Sequence, residues 1–222
     1  MLKFALLIAT KDLRIAFRNF GALLQAVLLG LTLIFIFSLS QEAGQIPTGR
    51  EAASFFWLAS VFCQILIFNQ LYSIEEINDC KAGLAVCRQP VEGIWLGKML
   101  AAFPPLLLAQ AVFMPGVVVF LNQNLTENAG LGLLGLFLTD IGLCSLGSIL
   151  GAIGQGQGAR DALLSVILFP LLTPLLLAGT SIGAQCFGAD TADAGLWLGV
   201  AGSFDSIFLA SGLVLFGFLY KG

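Results

Sequence analysis

The stretch Ser73–Lys98, SIEEINDCKAGLAVCRQPVEGIWLGK, is a polar interruption in a chain that is otherwise almost continuously apolar. It holds Glu75, Glu76, Asp79, Lys81, Arg88, Glu92 and Lys98, in a chain that has only ten basic and thirteen acidic residues. Charges at that density cannot lie in hydrocarbon, so the segment belongs in water, between two stretches long enough to cross a membrane. Its middle keeps a helical arrangement, with Ile77, Leu84 and Val86 as an apolar patch among acids and bases. A soluble partner can dock on such a surface.

The composition agrees with that reading. Of 222 residues, 58% are hydrophobic and 10% charged, with 19 Phe, and the mean hydropathy is +0.97. So little polar surface cannot cover a soluble globule, and the chain reads as an all-α integral membrane protein. A net charge of −3 offers no basic face for nucleic acid. The chain has no histidine, which removes the commonest general base, metal ligand and haem ligand. Cys63, Cys80, Cys87, Cys144 and Cys186 form no CxxC pair and read as small packing residues.

The chain opens with MLKFALLIATKDLRIAFRNF, too charged to span. Lys11, Arg14 and Arg18 recur at three and four residues, while Leu13, Ala16, Phe17 and Phe20 keep the same spacing on another side. That predicts an amphipathic helix over residues 1–19 lying in the membrane interface. A signal peptide fits less well, because LLIAT leads straight into charges without a small-residue cleavage site. Six apolar stretches follow, at about 20–40, 52–72, 99–121, 129–152, 162–183 and 195–219, each near the roughly 20 residues a crossing helix needs. The connections are short, so residues 1–222 read as a single membrane domain with one long loop, 73–98.

Orientation follows from the basic residues. Lys3, Lys11, Arg14, Arg18, Lys81, Arg88, Lys98, Arg160 and Lys221 fall on one side of the predicted topology and Arg50 on the other. The positive-inside rule then puts both termini and the long loop in the cytoplasm.

Motifs for chemistry are missing. Gly93-Ile-Trp-Leu-Gly97-Lys98-Met99 falls short of a phosphate-binding loop by one residue between its glycines, and has Met where Ser or Thr must hold magnesium. Gly154-Gln-Gly156-Gln-Gly158 follows no strand and reads as a tight turn. Asn124-Leu-Thr126 is a formal glycosylation triplet on the outer side. No nucleophile and base pair up and no metal ligands cluster, so the chain is not expected to be an enzyme by itself. Pro104, Pro105, Pro115, Pro170 and Pro174 lie within the predicted spans and favour kinks.

Two acids sit where acids are costly. Asp140 and Asp205 fall at similar depth in spans of the same direction, and no Lys or Arg within a span can pair with them. Such a carboxyl is protonated, hydrogen-bonded to a neighbour such as Thr139, Ser203 or Ser206, or open to a water-filled cavity. The pair is a candidate intramembrane polar site. Alternatively, Ser203 or Asp205 caps a shorter final helix.

Together, an interfacial helix, six spans, cytoplasmic termini and an acidic first cytoplasmic loop resemble the membrane subunits of exporter-type ATP-binding-cassette (ABC) transporters. Within that group the chain is similar to the haem exporter B subunits of bacterial cytochrome c maturation. The stretches carrying the likeness are Lys11-Asp12-Leu13-Arg14, Leu96-Gly97-Lys98-Met99-Leu100, Ala159-Arg160-Asp161-Ala162-Leu163-Leu164, Phe169-Pro170-Leu171-Leu172-Thr173-Pro174-Leu175-Leu176 and Phe204-Asp205-Ser206-Ile207-Phe208-Leu209. The loop departs from the family pattern, with Lys81-Ala82-Gly83-Leu84 and Gln89-Pro90 where an acidic-Gly-x-Leu run leading to Ser-Pro is expected.

The resemblance implies an ABC exporter-type permease bundle in the bacterial inner membrane, surrounded by lipid. ATP would be bound by a separate cytoplasmic ATPase subunit. Other cytochrome c maturation membrane proteins and a periplasmic haem carrier would complete the pathway, with haem as substrate or as the cargo of the released carrier. Of the cytoplasmic parts the loop alone combines length, an apolar patch and clustered acids, so Glu75, Glu76, Asp79, Lys81, Leu84 and Arg88 are the candidate ATPase-docking residues. Rival readings are an ABC-type permease for a lipid-linked sugar or drug, a proton-coupled secondary transporter using Asp140 and Asp205, and a membrane scaffold.

Overall fold

Inside hydrocarbon no water is present to bond the backbone, so a spanning segment must satisfy its own N–H and C=O groups, and long apolar runs become helices. A computed structural model of the chain describes residues 1–41, 45–77, 90–126, 129–154, 158–189 and 193–221. Every regular element among them is an α-helix: α1 Leu2–Arg18, α2 Phe20–Ser40, α3 Gly49–Ile77, α4 Glu92–Phe120, α5 Ala129–Gly154, α6 Gly158–Cys186 and α7 Ala194–Lys221. Five segments are long and apolar enough to cross a membrane among the described residues, Phe20–Ser40, Gly49–Ser73, Glu92–Phe120, Gly130–Ile153 and Ala194–Phe218. The chain is an all-α membrane protein.

The helices overrun the apolar stretches. Helices α3, α4 and α6 have 29 residues each, about 44 Å at 1.5 Å per residue, against a hydrocarbon core of about 30 Å. Charged residues such as Glu75, Glu76 and Glu92 limit what can lie in lipid, but they do not break a helix. Thus α4 begins at Glu92, and the last seven residues of the polar stretch are helical. The helices also run through Pro104, Pro105 and Pro115 in α4 and through Pro170 and Pro174 in α6. Helix α7 is unbroken past Ser203 and Asp205, so neither residue caps a helix start.

Helices α3 and α5 form the centre, each burying 61% of its most apolar window, while α2 and α7 bury 22% and lie at the periphery. Helix α1 packs on α4, α2 on α3 and α4, α3 on α4 and α6, and α5 on α6 and α7. Small residues set the close approaches. At Gly97 of α4 a Cβ would stand 2.7 Å from Cβ of Ile8 and 2.8 Å from the carbonyl oxygen of Ala5, so α1 docks there only because the side chain is missing. Gly147 and Gly151 of α5, one turn apart, receive Phe68 and Tyr72 of α3 in the same way.

At the N-terminus of α3, the Thr48 backbone N–H donates to Oε2 of Glu51 at 2.7 Å and the Glu51 N–H returns to Oγ1 of Thr48 at 3.3 Å. This capping box satisfies two otherwise orphaned donors. Nearby, Thr126 donates through Oγ1 to the Gln185 carbonyl at 2.8 Å and through its N–H to that of Cys186 at 2.9 Å, tying the α4–α5 connection to the end of α6.

Candidate functional site

The bundle has a basic end, where α1 and the start of α4 lie, and an opposite end with the starts of α3, α5 and α7. From one to the other, α3 presents Tyr72, Phe68, Gln64 and Ser60 at four-residue spacing, a single face of a helix. Each polar member of that row meets α4 or α5.

Nearest the basic end, Tyr72 donates its hydroxyl to the Ser148 carbonyl at 2.7 Å, and Ser148 donates Oγ to the Trp95 carbonyl at 3.1 Å. Trp95 in turn donates Nε1 to the Ser145 carbonyl at 3.3 Å. Lys98, fully buried on α4, donates to the Leu71 carbonyl at 3.0 Å and lies 4.4 Å from the centre of the Tyr72 ring. Its ammonium also pairs with Asp12 of α1. Read from sequence, Lys98 is a solvated loop charge; the structure instead threads its four-carbon stem into the bundle and gives the charge a carboxylate, a carbonyl and a ring face. Two turns along α3 from Tyr72, Gln64 donates Nε2 to the Leu143 carbonyl of α5.

At mid-depth, Gln110 of α4 donates Nε2 to Oδ1 of Asp140 at 2.8 Å and to Oγ of Ser60 at 3.4 Å. Asp140 is 0% exposed, Gln110 2% and Ser60 0%. Oδ2 of Asp140 and Oε1 of Gln110 have no hydrogen-bond partner among the described residues, and neither has Oγ1 of Thr139. Thr139 is therefore not the neighbour that satisfies Asp140.

Asp205 approaches α5 from the other side. A Cβ at Gly142 would collide with its Oδ1 and would come 2.7 Å from Cδ2 of Leu175, so the acid sits in a notch that only glycine leaves open. Both its oxygens lack partners among the described residues, because Ser203 and Ser206 donate back to the Gly199 and Gly202 carbonyls at 2.7 and 2.8 Å. Gly142 is two residues beyond Asp140, about 3 Å along the helix and about 200° around it. The two acids thus lie at one level, with α5 between the Asp140 carboxyl at Gln110 and the Asp205 carboxyl at Leu175.

A cavity of about 200 Å³ opens toward the opposite end, with Phe56, Trp57, Met114, Leu136, Gly179 and Cys186 in its wall. Phe56, Met114 and Leu136 stand one turn from Ser60, Gln110 and Asp140. The wall is apolar and the volume is below the roughly 300–1,000 Å³ of a usual ligand site.

Among the sequence-derived docking residues, Asp79, Lys81, Leu84 and Arg88 lie outside the described residues, and Glu75 and Glu76 fall in the last turn of α3. Among the described residues, no three His, Cys, Asp or Glu side chains gather to hold a metal, and Cys63, Cys144 and Cys186 are buried free thiols.

Comparison with known proteins bears on what such a bundle does. A family profile described as "CcmB protein" matches residues 3–213. A relative from Haemophilus influenzae, "Heme exporter protein B", is 26% identical over 176 residues, covering 79% of each chain.

Proposed function

The chain belongs to the CcmB protein family, and on that premise we propose that it is the membrane permease subunit of an ABC-type complex that exports or delivers haem for cytochrome c assembly. The observation that carries this reading is the family match across nearly the whole chain. The relative's name, with its reference to haem export, supports the substrate. In this reading α6 is counted with the five apolar segments, making six spans, and α1 lies in the interface. The basic end faces the cytoplasm by the positive-inside rule.

ATP is bound and hydrolysed by a separate cytoplasmic subunit, since the chain offers no phosphate-binding loop of its own. That subunit docks on the loop between α3 and α4 and on the last turn of α3, through Leu84 with Glu75, Glu76, Asp79, Lys81 and Arg88 at the rim. The loop leads directly into the two helices that carry Tyr72, Gln64 and Ser60 on one side and Trp95, Lys98 and Gln110 on the other. A push there reaches the buried polar row through α3 and α4. ATP hydrolysis then drives release of haem, or of a haem-loaded periplasmic carrier.

Deleting the chain in its host and scoring covalent haem attachment to c-type cytochromes tests the proposal. Loss of attachment with cytochrome polypeptides still exported is the expected result. Normal attachment would refute it.

A further inference from the structure

The hydrogen bonds around Gln110 leave one donor missing. Ser60 donates Oγ to the Phe56 carbonyl at 2.8 Å, so its proton is committed and its oxygen faces Gln110 as an acceptor. That sets the amide orientation, with Nε2 toward Ser60 and Asp140, because the reverse would turn Oε1 against the Ser60 lone pairs. Both amide protons then have acceptors, at 3.4 Å and 2.8 Å. What remains is two acceptors, Oε1 of Gln110 and Oδ2 of Asp140, both buried and both without a partner among the described residues. Each is bonded to the same carbon as an atom of the 2.8 Å contact, so a second hydrogen bond between the same two groups would use them both.

We infer that Asp140 and Gln110 form a proton-binding site, in which a proton on Oδ2 of Asp140 is donated to Oε1 of Gln110 and closes a two-bonded acid–amide pair between α5 and α4. One proton converts both orphaned acceptors into a hydrogen bond and removes the net charge from the centre of the bundle. Among the described residues, no cationic side chain stands beside the pair to neutralise it. Helix α3 presents Ser60 and, a turn further, the Cys63 thiol; α4 presents Gln110, with Lys98 twelve residues away, about 18 Å along the helix, and engaged with Asp12. Helix α5 itself carries Cys144 one turn on, and the Asp205 carboxyl of α7 is on the far side of α5. The proton is the ligand and comes from water; its loss leaves a carboxylate with one amide donor and sets two acceptors against each other.

Infrared spectra of the full chain in lipid nanodiscs at neutral pH test the site. The expected wild-type spectrum contains a neutral-carboxyl C=O band that moves down in D2O, disappears in Asp140→Asn, moves up in Gln110→Leu and survives in Asp205→Asn. Asp140→Asn keeps shape and volume, and an unchanged amide band checks that each variant is folded. Should Gln110→Leu fail that check, the wild-type, D2O and Asp140→Asn spectra still decide. Loss of carboxylate bands in Asp140→Asn, with the neutral-carboxyl region unaltered, would overturn the inference. So would a carboxylate band that shifts when sodium is replaced by a bulky organic cation, which would mark a metal-ion site instead.

Discussion

The ammonium of Lys98 lies 3.3 Å from Oδ2 of Asp12, a residue 86 positions earlier, and the two side chains are 0% and 4% exposed. With the Leu71 carbonyl at 3.0 Å, one nitrogen joins α1, α3 and α4 at the basic end. The amino-terminal helix is therefore part of the bundle and not a tether beside it.

Removing one partner of a buried ion pair leaves a charge uncompensated, at a cost of about 3–5 kcal/mol. The two removals differ here, because Lys11 also pairs with Asp12, 2.9 Å from Oδ1 and 42% exposed. Lys98→Met leaves Asp12 with Lys11, whereas Asp12→Asn takes the Asp12 carboxylate away from an ammonium whose side chain is 0% exposed. Thermal unfolding in detergent should show Asp12→Asn as the more damaging variant, with the double variant close to Lys98→Met alone. Equal and additive losses would mean that the pair is not coupled.

A second prediction concerns the seat of α1 on Gly97. Valine there forces side-chain atoms into Ile8 and the Ala5 carbonyl, overpacking that typically costs about 1–3 kcal/mol. Gly97→Val should loosen α1 and speed trypsin cleavage after Lys11 and Arg14 in the solubilised protein. Gly199→Ala serves as control, since a Cβ there meets nothing within 4 Å. Cleavage of Gly97→Val at the control rate would show that α1 is held elsewhere.

The orientation predicts labelling. A membrane-impermeant thiol reagent on spheroplasts should modify a cysteine placed at the exposed Gln45 and spare Cys80 and Cys87. Labelling of the native pair across intact inner membranes would reverse the topology.

Much of this molecule is legible in its sequence because hydrocarbon imposes a simple rule, and the apolar runs from Phe20, Ala52, Ala129, Ala162 and Gly195 each lie within a helix, while the run from Met99 ends one residue past α4. The helix ends are less so, since Glu75 or Glu92 sits as comfortably in a helix above the membrane as in a loop. Asp140 and Asp205 stand out from sequence alone, as acids in apolar spans must. Their surroundings do not, because Gln64, Gln110 and Ser60 are uncharged and their partners are carbonyls and side chains on other helices. The burial of Lys98 brings it to Asp12 and the Leu71 carbonyl, pairings that no local spacing encodes. Glutamines at mid-span carried the available signal, being costly in lipid unless bonded.

The central claim, that a separate ATPase drives this bundle through the loop between α3 and α4, is tested by ATPase retention on the purified membrane complex. Glutamate at Leu84 would bury a charge at the centre of that contact, a loss of several kcal/mol. Lys81→Glu at the rim should alter mainly the salt dependence. The account predicts stoichiometric ATPase with the wild-type chain, near-complete loss with Leu84→Glu at unchanged membrane abundance, and a matching loss of cytochrome c. Full ATPase retention and normal cytochrome c with Leu84→Glu would contradict it.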